Sequence, residues 1–384
     1  MFNSFYIANF RSFKELTIPN LGRVNLIVGK NSVGKTTLLE ALWLYASQMR
    51  PEAIHDVLVA REELLTEQDP ESREVEVDIP ALFFGRRFGP EYNNDIVLGP
   101  ATDSHEQMGL RMTWVERTLS SEPAPPTYVE YTEEDFEIAD GEVFPALKTM
   151  QGDSEQFFVK RYDSWFRTLR RTRGRSVESS PPFLRAGSVD SEMIGRWWDA
   201  VSLTESEATV IDFLNLLVPI ERISLVEHPR RYGGRIFVTR LSGRRTPQPL
   251  KSLGDGVERV FLTALSLAYA RQRMNSDDRS PLPPGSLSSG RDILLIDEIE
   301  EGVHFSAIHQ YWQLIFQMAY QLNVQVFATT HSWDCIEGFQ KAAIEDGRSE
   351  GILIRVERHN EDTRAVVIGE RDLEVIARDN IEVR

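Results

Sequence analysis

The sequence has little of what membrane-spanning, secreted or disulfide-stapled proteins need. Of 384 residues only Cys335 is a cysteine, so no disulfide can form within the chain. No apolar run approaches the roughly 18 to 20 residues that span a bilayer, and residues 1–13 alternate apolar and polar side chains instead of opening as a signal peptide. We therefore expect a cytoplasmic chain that makes no membrane contact.

Basic residues are in the minority as well. Lys and Arg number 43 against 59 Asp and Glu, a net charge of -16 that repels a polyanion at long range. Nucleic acid stays open as a partner only at local basic clusters, which occur at residues 160–175, around Trp165 and Phe166, and at residues 230–245. A solvated helix face explains the first cluster, and strand positions against an acidic partner surface explain the second as well as DNA does.

What is present is a globular composition, with 41% apolar and 27% charged residues, enough for one large domain or two ordinary ones. Hydrophobic periodicity predicts strands at residues 5–9, 16–18, 24–28, 75–79, 235–241, 293–296 and 324–329. Helices are predicted from residue 36 onward and at 191–218, 257–271 and 306–322, with an exposed loop at 275–291. Strands that alternate with helices predict a mostly parallel, covered sheet.

Residues 29–36 follow the G-x-x-x-x-G-K-T pattern of a phosphate-binding loop, between a predicted strand and helix. Glycines let backbone N–H groups turn toward a β-phosphate, Lys35 reaches the β- and γ-phosphates, and the Thr36 hydroxyl reaches Mg²⁺. A glycine turn that merely caps a helix explains neither Lys35 nor Thr36. We therefore predict that ATP contacts Gly29, Asn31, Ser32, Val33, Gly34, Lys35, Thr36 and Thr37.

The apolar run at residues 293–296 ends in Asp297 and Glu298. Two carboxylates at the carboxyl end of a buried parallel strand are costly unless a cation compensates them. Asp297, with Thr36, is predicted to bind Mg²⁺, and Glu298 to orient or deprotonate the attacking water. A strand end whose acids cap a helix is the alternative.

His331 follows the apolar strand predicted at residues 324–329. A histidine at such a place can be a purely structural group. Because this strand is expected beside the one that ends in Asp297, His331 is predicted to lie near a γ-phosphate and to act in catalysis.

With these elements in order, the chain resembles the ABC-type ATPase superfamily, in the branch that contains RecF, SMC-like proteins and the overcoming-lysogenization-defect (OLD) ATPases. It is similar to stand-alone ATP-binding proteins described as AAA ATPases, without a Toprim nuclease domain. The likeness covers about residues 1–50 and 190–384 and rests on residues 9–13, the phosphate-binding loop with Asn31, and residues 297–304, 328–332 and 381–384.

The resemblance implies an α/β P-loop NTPase fold of ABC-ATPase type: a mostly parallel sheet with an antiparallel N-terminal part and a helical insertion. It divides the chain into a discontinuous ATPase head, residues 1–50 and 219–384, and an accessory lobe of strands plus helical insertion, residues 51–218. Only about 50 residues follow His331, too few for a Toprim domain, so no nuclease activity is expected.

The resemblance also implies that two subunits enclose two ATP molecules, with residues 300–304 crossing between the sites. The turn that opens the helix near residue 255 then serves as the signature loop, which contacts the partner's γ-phosphate through Leu253, Gly254, Asp255 and Gly256. Gly254 stands where a serine is expected, and no glutamine for the Mg²⁺ shell can be placed, although Gln107 and Gln151 are available. Slow hydrolysis is therefore expected.

Three functions follow as hypotheses. The first is an ATPase whose nucleotide-dependent assembly into a homodimer, or a higher even oligomer, gates or powers a separate effector protein; phage defence is a frequent context in the resembling family. The second is a RecF-like DNA-binding repair ATPase, for which the basic clusters must share one face. The third is a nucleotide-binding scaffold with negligible turnover.

Overall fold

The computed structural model describes residues 1–65, 76–92, 94–118, 127–131, 142–152, 154–159, 180–187, 191–227, 234–275, 292–348, 350–360, 362–369 and 372–373. Several predicted features lie outside this part of the chain. They are the basic cluster at 160–175, Arg230 and Arg231 of the second cluster, the predicted loop apart from Asn275, and residues 381–384.

The helices are α1 Lys35–Ala46, α2 Pro51–Val59, α3 Ser191–Val201, α4 Glu205–Asn215, α5 Asp255–Asn275, α6 Phe305–Leu322 and α7 Trp333–Asp346. The strands are β1 Phe5–Phe10, β2 Phe13–Ile18, β3 Val24–Val28, β4 Leu64–Leu65, β5 Glu76–Val77, β6 Ile96–Gly99, β7 Met108–Thr118, β8 Thr127–Tyr131, β9 Val143–Gln151, β10 Ser154–Val159, β11 Phe183–Leu184, β12 Ile220–Glu227, β13 Arg235–Leu241, β14 Gln248–Pro249, β15 Ile293–Ile296, β16 Gln325–Thr329, β17 Gly351–His359 and β18 Asp362–Ile368. Of the helices described, none has the length and apolar character needed to cross a membrane.

An antiparallel sheet is built from the N-terminal hairpin and the middle of the chain. Its order is β10-β9-β7-β6-β1-β2, with β8 paired to β7. The hairpin of β1 and β2 closes between Phe10 and Phe13, and β1 pairs with β6 on its other side. The predicted antiparallel N-terminal part is therefore confirmed, and β6 to β10 lie within residues 51–218, where strands were predicted but only the one at 75–79 was given bounds.

A second sheet has the order β11-β15-β16-β3-β17-β18 and is parallel except for its last pair. Strands β3, β15 and β16 are buried along their whole length, as their apolar sequences predict. Because parallel strands end at one edge, the segments that follow β3, β11, β15 and β16 meet there. The sheet therefore gathers the predicted phosphate-binding loop, Asp297 and His331.

Both faces of this parallel sheet are covered. Alternate strand residues point to opposite sides, so that Leu295 joins the apolar cluster formed with α1 and the N-terminal hairpin, while Ile296 joins the cluster formed with α5, α6 and α7. Helices α3 and α4 pack on α5, where the Trp197 ring stacks on Tyr269 with centroids 5.6 Å apart. The parallel sheet thus lies between two apolar clusters, one on the side of α1 and one on the side of α5.

These layers form the ABC-ATPase-like P-loop NTPase fold with mixed sheets, which confirms the predicted fold class. Two predicted elements differ in detail. The helical stretch 191–218 is two helices. Of the strand predicted at 75–79, residues 76 and 77 form β5 and Ile79 opens a 3₁₀ turn that contains Pro80, while residue 75 lies outside the described part of the chain. Strands from both predicted parts of the chain share sheets, through β1–β6 and β11–β15, and the division at residues 50 and 218 stays a prediction.

Candidate functional site

The loop between β3 and α1 requires glycine at both motif positions. Gly29 has φ 146° and Gly34 has φ 107°, in the region that side chains rarely adopt. A Cβ atom would lie 2.5 Å from the Val356 carbonyl oxygen at Gly29 and 2.6 Å from the Phe13 ring at Gly34. The curled backbone ends at the N-terminus of α1, where unsatisfied N–H groups favour an anion.

Lys35 is the first residue of α1 and is buried inside this loop. Its Nζ donates to the carbonyl oxygens of Gly29 at 2.7 Å and of Lys30 at 3.2 Å. Burial lowers the pKa of Lys35 from its ordinary value, and the carboxylates of Asp297 and Glu298 oppose that shift. The ammonium is therefore desolvated and held at the mouth of the loop, where a phosphate group can replace water as its partner.

Thr36 and Asp297 meet across 261 positions of sequence. The Thr36 hydroxyl donates to Asp297 Oδ2 at 2.9 Å, and the Thr329 hydroxyl, from the end of β16, donates to Oδ1. Asp297 is only 8% exposed. A hydroxyl and a carboxylate fit Mg²⁺, which takes oxygen ligands and combines one or two carboxylates with substrate phosphates. Thr36 and Asp297 are the groups that would bind it.

Glu298 stands in an unusual backbone conformation, with φ 48°. The left-handed region costs a non-glycine residue on the order of 1 to 2 kcal/mol, so neighbouring groups must hold it there. One of them is the Thr329 hydroxyl, which accepts the Glu298 backbone N–H at 3.0 Å. The side chain itself is 47% exposed and remains accessible to water and ligand.

His331 lies between the lysine and the second carboxylate. Its Nδ1 is 3.3 Å from Lys35 Nζ and its Nε2 is 3.8 Å from Glu298 Oε1. Because an ammonium can only donate, Nδ1 is the acceptor and Nε2 carries the proton that faces Glu298. Strand β16 lies beside β15 as the sequence predicts, and the structure brings Lys35, Glu298 and His331 together.

The predicted signature turn lies elsewhere on the same chain. Gly254 and Asp255 are exposed, α5 begins at Asp255, and a Cβ atom on Gly256 would lie 3.2 Å from the Gly302 carbonyl oxygen. Across the described residues, no hydrogen bond or ion pair joins residues 253–256 to the phosphate-binding loop. The turn therefore borders the segment that follows Glu298 but takes no part in the site of its own chain.

Family comparisons agree with this geometry. Residues 1–163 match the family described as "AAA ATPase domain", and residues 156–334 match the one described as "AAA domain, putative AbiEii toxin, Type IV TA system". Each match covers less than half of the chain, and both are to AAA-type domains. The first match contains the phosphate-binding loop and the second contains Asp297, Glu298 and His331, so the two parts of the candidate site fall within the two matched segments.

Individual relatives are distant. A Helicobacter pylori protein named ATP/GTP phosphatase is 23% identical over 381 residues, a match that covers 88% of this chain and 87% of that protein. The DNA replication and repair protein RecF of Clostridioides difficile is 44% identical over 41 residues, 11% of each chain. Among solved structures, an SMC head bound to the C-winged helix domain of ScpA has 11% identity and a TM-score of 0.48, with 96% of this chain and 98% of that chain covered. The family matches and the first relative support ATP hydrolysis.

The remaining predicted residues divide between the loop and remote places. Asn31 and Ser32 are exposed, whereas Val33 in the phosphate-binding loop and Thr37 in the first turn of α1 are buried. Neither available glutamine reaches the site. Both lie near the C-terminal end of α1, which is about 16 Å from Lys35 because the helix has 12 residues. At that end the Tyr45 hydroxyl donates to the carbonyl oxygen of Glu106, the residue before Gln107. Gln151 pairs with Met108, the residue after Gln107.

Arg259 is a site residue whose role the sequence analysis missed. It lies one turn into α5, is buried, and donates through Nη2 to the carbonyl oxygens of Asp297 and Glu298, each at 2.9 Å. Its Nη1 is 3.9 Å from Glu301, whose carboxylate accepts the Gly187 backbone N–H. A single guanidinium thus fixes the two peptide groups that carry the acidic pair.

We expect Arg259→Met to lower ATP turnover on the order of 10- to 100-fold, because releasing the Glu298 carbonyl moves its carboxylate from the reacting position. The fold should lose about 1 to 3 kcal/mol through the two carbonyl groups left unpaired. Steady-state phosphate release and thermal unfolding measure the two effects. Arg235→Met, which breaks an exposed ion pair with Asp199 through the same chemical change, is the control. Equal turnover in both variants would contradict this role.

A buried ionic network lies beside the first turns of α1, next to the phosphate-binding loop. Glu40 on α1 is fully buried; Arg61 Nε donates to its Oε1 at 2.7 Å, and Arg11 Nε is 3.0 Å from its Oε2. Arg11 also contacts both oxygens of Glu63, at 2.7 and 2.8 Å, and Arg61 reaches the Thr37 hydroxyl at 3.3 Å. The network joins the N-terminal hairpin and the segment after α2 to the first turns of α1.

The second basic cluster is partly neutralised. Arg235 contacts both oxygens of Asp199 at 2.6 Å, and Arg240 contacts Glu221 at 2.6 and 3.1 Å. Exposed ion pairs of this kind add little to stability, but they reduce the charge that the surface offers a polyanion.

Proposed function

We propose that this chain binds ATP with Mg²⁺ at the carboxyl edge of its parallel sheet, hydrolyses it there, and uses the nucleotide to bring two copies together and so to control a separate effector protein. The observation that carries the proposal is the convergence of Lys35, Thr36, Asp297 and Glu298 from segments 261 or more positions apart, with contacts as short as 2.9 Å. An assembly of a buried ammonium, a hydroxyl and two carboxylates around a glycine-lined loop suits triphosphate chemistry.

Each residue has a distinct part in this proposal. Backbone N–H groups of the loop and the Lys35 ammonium bind the β- and γ-phosphates and offset their charge. Mg²⁺ held by Thr36 and Asp297 would withdraw charge from the same phosphates. Glu298 orients the attacking water and takes its proton, and His331, with its Nε2 proton facing the same space, donates to the γ-phosphate.

The dimer is proposed because the signature turn is exposed and makes no bond to the site of its own chain. Gly254 and Asp255 face solvent at the N-terminus of α5, a helix of 21 residues whose positive end suits a phosphate. A second copy can present this turn to the nucleotide bound in the first. Through Gly256 beside Gly302, the turn also touches the segment that follows Glu298, which would link assembly to hydrolysis.

Gly254→Asp tests the assembly. Gly254 has φ 100° and ψ 157°, a conformation that favours glycine, so the variant strains the exposed turn and also adds a carboxylate to it, with nothing within 4 Å of the added Cβ. We expect sedimentation analysis to show a dimer for the natural protein with a nonhydrolysable ATP analogue and a monomer for Gly254→Asp, with the affinity of the monomer for ATP unchanged.

The control is Gly243→Asp, which adds the same carboxylate at a glycine with φ 77° and equally open surroundings after β13. Gly256→Asp is less suitable, because its Cβ would press on the Gly302 carbonyl. A dimer that persists in Gly254→Asp, or that is lost equally in Gly243→Asp, would refute the assigned surface.

Two parts of the proposal, the separate effector protein and its role in phage defence, rest on the resemblance to RecF, SMC-like and OLD proteins. The test is to purify the chain with the product of its neighbouring gene and to measure whether the activity of that product requires ATP. A DNA-binding repair ATPase is the second candidate, favoured by the local RecF match over 41 residues. Turnover that rises on addition of DNA would favour the second candidate; turnover that depends on the copurified protein would favour the first.

A further inference from the structure

The end of β11 places an arginine beside the acidic pair. Leu184 aligns with Ile296 in the parallel pairing of β11 with β15, and the Asp297 backbone N–H donates to the Leu184 carbonyl at 2.8 Å. The next residue, Arg185, is therefore the neighbour of Asp297 across the two strands. A strand of only two residues, Phe183 and Leu184, fixes this position.

The Arg185 side chain points to the same face as Asp297. Side chains at one register of a parallel pair share a face and alternate along the strand. Phe183 and Leu295 belong to the cluster under α1, so two residues further on Arg185 and Asp297 also face α1. The guanidinium lies over the Phe183 ring, with Cζ 4.3 Å from its centroid, which fixes its direction.

Glu40 does not account for Arg185. Both Glu40 oxygens already have closer partners, Arg61 at 2.7 Å and Arg11 at 3.0 Å, whereas Arg185 Nη1 is 3.7 Å away, beyond hydrogen-bond distance. Within the described residues no hydrogen bond to the Arg185 guanidinium is found, although its side chain is only 27% exposed. Burial lowers its pKa and Arg61 acts in the same direction, whereas Glu40, Asp56 and Asp297 oppose that shift.

Arg185 shares its carboxylate partner with two other arginines. Glu40 forms ion pairs with three guanidinium groups, and its oxygens lie nearer Arg11 and Arg61 than Arg185. A half-desolvated guanidinium with unused donors favours an anionic partner, and phosphate is one that arginine binds through paired N–H groups. The expected triphosphate lies at the same edge of the sheet, next to Thr36 and Asp297.

We propose that Arg185 binds the γ-phosphate of ATP within its own chain and makes the site selective for ATP over ADP. The proposal rests on the proposed ATP site. In this proposal the Arg185 guanidinium occupies the strand end beside Asp297, a position that neither Gln107 nor Gln151 reaches.

The experiment measures the dissociation constants of ATP and ADP by calorimetry, with all variants made in Glu298→Gln protein so that ATP persists. Arg185→Gln is expected to weaken ATP binding about 10- to 100-fold and to change ADP binding less than about threefold, because ADP lacks the phosphate that the guanidinium binds. Arg185→Lys keeps the positive charge but lacks the paired N–H groups of the guanidinium, and it is expected to recover part of the lost ATP affinity.

A purely structural role predicts a different result. Arg61→Gln removes a guanidinium that binds Glu40 and Thr37, and it is expected to change ATP and ADP binding by the same factor. If Arg185→Gln also weakens both nucleotides equally, or neither, the proposal is wrong. Failure of the ATP site itself is distinguishable, since the parent protein would then bind neither nucleotide. Thermal unfolding verifies that each variant is folded before binding is measured.

Discussion

Lys35→Ala is expected to abolish ATP binding, with an affinity more than about 100-fold weaker than that of the natural protein. The Lys35 ammonium is buried in the loop and bonded to two loop carbonyls at 2.7 and 3.2 Å. Hydrogen bonds between charged groups contribute about 1.5 to 3 kcal/mol each, and the variant loses those made to two phosphates. Calorimetric titration with ATP measures the effect directly.

The control for Lys35→Ala is Lys30→Ala in the same loop. The Lys30 side chain is exposed, while its backbone carbonyl, which accepts from Lys35, is unchanged by the substitution. The net charge changes equally in the two variants, so a difference between them isolates the position of the ammonium from long-range attraction. ATP binding that survives in Lys35→Ala would remove the basis for the whole assignment of the loop.

The elements that hold the catalytic groups could be predicted because each has a local signature. Residues 24–28 and 293–296 are continuous apolar runs, and both are observed as buried strands with the predicted bounds. The phosphate-binding loop contains glycines with positive φ, a conformation that glycine adopts more readily than other residues. It also contains a lysine and a threonine that the formation of a helix does not require. Local chemistry and local conformation therefore pointed to one interpretation.

The antiparallel sheet could not be predicted in the same way. Its strands β7 and β9 carry polar side chains such as Arg111 and Lys148 at paired positions, and β9 contains Pro145, which weakens a strand prediction. These strands are stabilised by cross-strand partners, including the ion pair of Lys148 with Glu130 at 2.6 Å. Such pairing depends on segments far apart in sequence and leaves little periodicity in any one of them.

Arg185 and Arg259 were missed for related reasons. β11 has two residues and is a strand only because β15 pairs with it, so nothing in residues 183–185 marks a site. Arg259 was visible as a basic residue near the start of a helix, but its partners are backbone carbonyls of another segment, which have no sequence signature. The sequence offered two hints that Arg259 could reach the site: its side chain is long, and it lies one helical turn after the predicted signature turn.

Glu298→Gln is expected to reduce the rate of ATP hydrolysis about 10²- to 10⁴-fold while ATP binding is retained. The amide has the shape of the carboxylate but cannot take a proton from water, and the backbone bond from Glu298 N–H to Thr329 is unaffected. A single-turnover experiment measures the chemical step without interference from product release. Since the ATP-bound state then persists, sedimentation analysis should show the nucleotide-dependent dimer at its highest population.

The control is Glu337→Gln on α7, where a carboxylate of matched exposure, 48% against 47%, is bonded to Lys341 away from the site. It should hydrolyse ATP within about threefold of the natural rate, since exposed ion pairs contribute little. Two results would place the proton acceptor elsewhere: natural turnover in Glu298→Gln, or an equal loss in Glu337→Gln. A slow Glu298→Gln variant that never dimerises would keep Glu298 as the base and separate hydrolysis from assembly, because the first depends on the carboxylate and the second on the exposed turn at Gly254.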